Sequence, residues 1–297
     1  MKVSVQINGY YNSNISGDII RICNEITGLE AVSGFDDDAE IVLFSGQPVP
    51  GKNTRFMQSL SAGVNHIDFS KIPENIIIAS NANAYSIPVA ETAIGLLLAW
   101  ARKICISNYN IHNNNYKRLD YNNYISVYNK SLGILGYGGI GKRTALIAHS
   151  MGMKIYAHSI SYKNEDISMY IEPEDIIKKS DFLLISLPLT KETRNYIDDR
   201  LLSMFNGFAI INVGRAGVVD KNSMLNFLAN HPDKYYLTDV WWNEPILNER
   251  IPDNVIITPH SAGMSDNVYD SAISACKNIV NYINGKAQNI VKRSDYI

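Results

Sequence analysis

Four segments of this chain carry residue types whose spacing could do chemistry together. The first is Gly136-Tyr137-Gly138-Gly139-Ile140-Gly141, which follows the apolar run 132–135 and precedes the helical pattern KRTALIAHSMGM. In a strand-to-helix turn of this spacing, Gly136 permits the tight turn and Gly138 lets backbone approach a pyrophosphate. Gly141 lets helix and strand pack closely, and the helix N-terminus offers free N–H groups with a partial positive charge. Gly136, Gly138, Gly139, Ile140 and Gly141 are therefore candidates to hold a dinucleotide. The other three segments place polar residues just past apolar runs: Arg215 in INVGRAGVVD, Asp239 and Glu244 in TDVWWNEP, and His260 in IITPHSAG. In an open parallel sheet the carboxyl ends of the strands line the ligand crevice. A guanidinium for a carboxylate and a carbonyl oxygen, with an imidazole to carry the proton of an alcohol, suits a 2-hydroxy or 2-keto acid. Singly, each has a plain alternative: a surface arginine, a turn residue before Pro245, a packed histidine. Behind a dinucleotide loop, the combination points to redox chemistry.

The strand after the loop, 154–157, leads into His158 and Ser159, where an acid pairing with the ribose hydroxyls of NAD would stand. Ser159 lacks the charge that repels a 2′-phosphate. Lys163 adds one that attracts it, although a solvated loop lysine is the plainer reading of that residue alone. The expected cofactor is NAD(P)(H), leaning to NADPH.

Elements that must position these residues are visible in the apolar pattern. Runs at 2–6, 40–44, 56–60, 76–79, 132–135, 154–157, 182–186, 209–213, 236–240 and 255–257 are continuous rather than alternating, as expected of strands covered on both faces. Helical patterns at 142–150, 174–178 and 221–229 lie between them, which implies parallel α/β sheets. A long apolar helix is expected over 89–106, entered after Pro88, and 107–130 reads as a wandering connection rich in Asn and Tyr.

Composition excludes several classes. A formal charge of −2 gives no pull toward nucleic acid. The opening MKVSVQINGYY has no apolar h-region, so no signal peptide is expected, and the greasy run 93–101 is too short to span a membrane. Cys23, Cys105 and Cys276 are widely spaced, which argues against a disulfide framework or a cysteine-rich zinc site. The expectation is a two-domain cytoplasmic protein without a metal.

Seven ordered segments resemble the D-isomer-specific 2-hydroxyacid dehydrogenase family: LSAGVNHID, NANAYSIPVAETAIGLLLAWAR, LGILGYGGIGKRTA, SLPLTKETRNYID, INVGRAGVVD, DVWWNEP and NVIITPHSAG. The resemblance implies two Rossmann-like doubly wound parallel-sheet domains, one inserted into the other. A substrate domain over 1–102 and 266–297 would enclose a dinucleotide-binding domain over 103–265, with 267–284 carrying the chain back. It makes His260 the general acid/base, Glu244 the carboxylate that hydrogen-bonds that imidazole and favours its protonated form, and Arg215 the residue that holds the substrate carboxylate and polarises its carbonyl. Asp239 matches the position facing the nicotinamide amide, and Pro188 the residue flanking adenine. Val213, Gly214 and Gly263 stand with Ser159 among the cofactor contacts. Ser61, Ala62, Gly63 and Val64 match the loop whose backbone N–H groups grip the substrate. Thr92 and Ala216 depart from residues often found in the family. The implied activity is reduction of a small 2-keto acid of the glyoxylate or hydroxypyruvate class to the D-2-hydroxy acid, by a homodimer. Two alternatives resemble the chain less: the C-terminal-binding-protein corepressors, and formate dehydrogenase, which has Gln in place of Glu244.

Overall fold

In the first unit, the runs near the N-terminus become β1 (Lys2–Gln6), β2 (Glu30–Ser33), β3 (Ile41–Phe44), β4 (Phe56–Ser59) and β5 (Ile77–Ala79). The computed structural model describes residues 1–7, 13–116, 118–160, 167–266 and 269–296. All five strands are parallel, in the order β2-β1-β3-β4-β5. One face is covered by α1 (Ser13–Thr27) and α8 (Asp270–Ile283), which bring Ile19, Ile22, Cys23, Ala272, Ala275, Cys276 and Ile279 against Val3, Val5, Ile41, Leu43 and Phe56. Phe56 stacks on Tyr282 of α8 at 4.1 Å. The other face is covered by Val64, Ile67, Phe69, Ile72 and Ile76, with Val291 and Tyr296 of the C-terminal segment. Cys23 and Cys276, far apart in sequence, are both fully buried in the same cluster, and the thiols are free.

The second unit contains α2 (Ser86–Ala101), α3 (Ile104–His112), β6 (Ser131–Leu135), α4 (Gly139–Ser150), β7 (Lys154–His158), β8 (Met169–Tyr170), α5 (Pro173–Lys179), β9 (Phe182–Ile185), α6 (Asp199–Leu202), β10 (Ala209–Asn212), α7 (Lys221–Asn230), β11 (Tyr235–Thr238) and β12 (Val255–Ile257). Its seven strands are parallel, in the order β12-β11-β10-β9-β6-β7-β8. The strand order reverses between β6 and β9, and at such a switch point the loops diverge to open a crevice. Every residue of β6, β9 and β10 is buried, in agreement with the continuous apolar runs. One face packs the apolar side chains of α5, α6 and α7; α2 and α4 pack on the other.

The chain thus divides into Met1–Tyr85 with Ser265–Ile297, and Ser86–Met264 inserted between them. The break falls before α2, because its apolar surface lies against α4, β10 and β11. This helix differs from the expected 89–106 at both ends. It starts at Ser86, so Pro88 sits in the first turn, where its missing N–H has no intrahelical partner to lose. It ends at Ala101, and Lys103 adopts a left-handed φ of 57° that redirects the chain into α3. The Lys103 ammonium lies 4.5 Å from the Trp100 ring and 5.2 Å from that of Tyr235, which favours this turn. Part of the expected connection at 107–130 is therefore helix, and α3 buries no residue.

Candidate active site

The dinucleotide loop has the backbone its glycines require. Gly136 has a φ of +99°, and a Cβ there would lie 2.9 Å from the Ser186 carbonyl. A Cβ on Gly141 would come within 2.3 Å of the Gly136 oxygen. Gly138, by contrast, faces open space, and α4 starts after it with no side-chain cap. Among the described residues, the N–H groups of Gly139, Ile140 and Gly141 meet no acceptor. Open space in front of uncapped N–H groups at the switch point is what a pyrophosphate needs, so these residues fit a dinucleotide. Ser186 closes the floor, donating from its Oγ to the Gly136 oxygen at 2.8 Å. Pro188 is exposed just beyond. Past β7, the Ser159 Oγ is buried and lacks a partner among the described residues, an acceptor and donor left for a ligand. Lys163 lies outside the described residues.

Arg215 stands where β10 turns into a 3-10 helix over Ala216–Val218. Asn212, fully buried, builds that turn: its Oδ1 accepts from the Gly214 N–H at 3.0 Å, and its Nδ2 donates to the Arg215 oxygen at 3.2 Å and the Tyr236 hydroxyl at 2.9 Å. Burial pushes the Tyr236 hydroxyl up to about 12, so it stays protonated. Val213 is buried, and Gly214 sits so close to Leu187 that a Cβ would be 2.8 Å from its oxygen. Arg215 Nη1 donates to the Gly214 oxygen at 2.8 Å.

His260 follows β12 with a φ of 52°, and its N–H donates to the oxygens of Asp239 and Thr258, both at 3.0 Å. The buried Asp239 carboxylate braces the same turn. It accepts from the Thr258 hydroxyl at 2.6 Å and from the N–H groups of Ser261 and Ala262 at 2.9 Å each. Gly263, half-buried, completes the turn. The ring Nδ1 lies 2.7 Å from Glu244 Oε1, while Glu244 Oε2 accepts the Trp241 N–H at 3.0 Å. Burial would raise the Glu244 carboxyl. The His260 bond, the Trp241 N–H and the nearby charges of His260 and Arg215 outweigh it and hold the group below the usual range. Glu244 is therefore ionised above pH 4.5, its ordinary value. With Nδ1 committed to it, Nε2 is the nitrogen left to exchange a proton.

The unit thus brings Arg215, Asp239, Glu244 and His260 to neighbouring strand ends. Ser61, Ala62, Gly63 and Val64 belong to the other unit, after β4. There the Ser61 N–H is already taken by the Ser59 Oγ at 2.9 Å. Those of Ala62, Gly63 and Val64 have no partner among the described residues. Val64 is buried, and the Leu60 oxygen accepts from Tyr85 at 2.8 Å and from Asn81 at 3.1 Å, so the loop is anchored at both ends. Sequence reasoning missed Asn212 and Ser59. Asn212 sits inside a motif segment, a visible signal, whereas the role of Ser59 arises from a contact that no spacing encodes.

A dinucleotide turn at the switch point and an imidazole–carboxylate pair at the far strand ends define a nicotinamide-dependent oxidoreductase. Residues 94–262 match the NAD-binding domain of the D-isomer-specific 2-hydroxyacid dehydrogenases. The chain is 30% identical to a hydroxypyruvate reductase of Thermotoga maritima over 82% of its own length and 80% of the relative's. It is 31% identical to a glyoxylate reductase of Aeropyrum pernix, covering 80% and 76%. Among solved structures, a glycerate dehydrogenase related protein of Thermoplasma acidophilum is 39% identical with a TM-score of 0.68, over 94% of this chain and 99% of that one. The chain belongs to the D-isomer-specific 2-hydroxyacid dehydrogenase family, whose oxidoreductases act on a CH–OH group with a nicotinamide cofactor.

Proposed function

We propose that the protein reduces a small 2-keto acid, glyoxylate or hydroxypyruvate, to the D-2-hydroxy acid. The observation that carries this reading is the 2.7 Å contact between His260 Nδ1 and an ionised Glu244. The names of the reductases to which the chain is similar supply the substrate class. The bound nicotinamide supplies the hydride. Arg215 holds the substrate carboxylate and supports the negative charge that develops on the carbonyl oxygen. His260 donates the proton to that oxygen from Nε2, and Glu244 fixes the ring through Nδ1. In the first unit, the N–H groups of Ala62, Gly63 and Val64, which meet no partner among the described residues, suit a substrate carboxylate. Pro188 would flank the adenine, Val213, Gly214 and Gly263 would complete the cofactor contacts, and Asp239 would serve the nicotinamide side through the turn that its buried carboxylate braces.

NADPH serves at least as well as NADH in this reading, because Ser159 replaces an acid and its buried Oγ can donate to a 2′-phosphate. The protein works as a cytoplasmic homodimer: Ile104, Tyr109 and Ile111 of α3 are exposed apolar side chains that a second copy would cover. Its free cysteines suit a reducing compartment. A panel of 2-keto acids assayed with both cofactors, beside sedimentation of the protein, tests these points. The highest kcat/KM is expected for glyoxylate or hydroxypyruvate, and no turnover of any 2-keto acid would overturn the proposal.

A further inference from the structure

Glu244 lies in an irregular segment, 241–254, whose residues from Glu244 to Asn248 are exposed. A carboxylate on such a loop has several rotamers available, yet it must keep one oxygen on the imidazole. Its second oxygen is fixed by the Trp241 N–H, so the question becomes what fixes Trp241. The Trp241 ring is buried, and its Nε1–H donates to Glu249 Oε1 at 2.8 Å. Glu249 Oε2 lies 2.8 Å from the Lys221 ammonium. Lys221 opens α7, whose start is capped by Asp220 accepting from the Ser223 N–H at 2.9 Å. The next indole is pinned as well: Trp242 Nε1–H donates to the Val219 oxygen at 2.8 Å, at the end of the turn that Arg215 opens.

A continuous chain of bonds therefore runs from α7 through Lys221, Glu249, Trp241 and Glu244 to His260. We infer that Glu249 is a positioning residue for the proton-transferring pair, acting through the Trp241 indole to hold Glu244 on the His260 ring. The inference rests on the reductase reading for its activity measurement. It has a second measurement that does not: a hydrogen-bonded imidazole Nδ1–H gives a low-field proton resonance, assigned by its loss in His260→Gln.

The distinguishing variants are Glu249→Ala, which removes the acceptor, and Glu249→Gln, which keeps a carbonyl oxygen for the indole while losing the ion pair. In the full chain, Glu249→Ala should lower kcat about tenfold or more with the cofactor KM unchanged, and should broaden the low-field resonance. Glu249→Gln should restore most of both. Wild-type kcat and resonance in Glu249→Ala would overturn the inference. Equal damage in both variants would also overturn it, by tracing the effect to a general loosening of the loop. If the wild-type chain turns over no 2-keto acid, the reductase reading fails, and the resonance alone decides whether Glu249 positions Glu244.

Discussion

The two sheets end in loops of different chemical kinds. At the carboxyl end of β4, the loop through Ala62, Gly63 and Val64 has no ionisable side chain and presents three backbone N–H groups that meet no partner among the described residues. Past the carboxyl ends of β10, β11 and β12, the distinctive groups are side chains: a guanidinium, a carboxylate and an imidazole. Backbone donors hold an anion by shape, and almost any side chain can sit above them. Side-chain chemistry has no such tolerance, because a proton must leave from one atom at one position. The second loop set is accordingly braced more heavily, by Asp239 beneath His260 and Asn212 beneath Arg215.

The sharpest way to break this contrast is His260→Ala. It should cost about 10²- to 10⁴-fold in kcat while dinucleotide binding, read by fluorescence titration, stays nearly intact. A variant with most of its kcat would remove the imidazole from the chemistry. In the other loop, Gly63→Pro deletes one N–H donor. Here KM for the keto acid should rise about tenfold with a much smaller change in kcat, since the donor acts on a carboxylate present throughout the reaction. An unchanged KM, with the melting temperature also unchanged, would mean that the loop does not meet the substrate.

Two smaller effects sharpen the comparison within the second unit. Ser159→Asp should move preference toward NADH by about tenfold, roughly 1.4 kcal/mol, as a carboxylate repels the 2′-phosphate and pairs with ribose hydroxyls. A wild-type chain that already prefers NADH tenfold would contradict the role given to Ser159. Glu244→Gln should lower kcat about fivefold. The wild-type carboxylate is ionised above pH 4.5 and holds the imidazole at Nδ1 as a charged acceptor, which a neutral amide replaces only in part. An unchanged kcat would show that the 2.7 Å contact has no bearing on proton transfer.

Much of this was legible in the sequence. The dinucleotide turn, the strands around it and the Arg215, Glu244 and His260 segments could be read because each pairs an apolar run with residues of restricted conformation or charge. What escaped has physical reasons. Strand β8 is two residues long at a sheet edge, and β2 buries only one side chain fully. Helix α3, ICISNYNIH, buries nothing and so has no apolar period to detect. Helix α1 does repeat its isoleucines on one face, but it lacks an acidic first turn and a basic last turn to mark its ends. Glu249 looks like any loop glutamate, and only the indole that meets it gives it a role.

The interruption of the first unit also governs the order in which the protein can be completed as it is synthesised. Strands β1 to β5 leave the ribosome early, yet two of their covers, α8 and the segment carrying Val291 and Tyr296, follow Ser86–Met264. At about 5–20 residues per second, those roughly 180 intervening residues take on the order of 10–35 s. During that interval Phe56 lacks the Tyr282 ring and Ile78 lacks the Val291 segment, leaving a surface for chaperones to hold or for neighbouring chains to stick to. A permuted chain that began at Ser265 would deliver α8 ahead of β1 and close that interval.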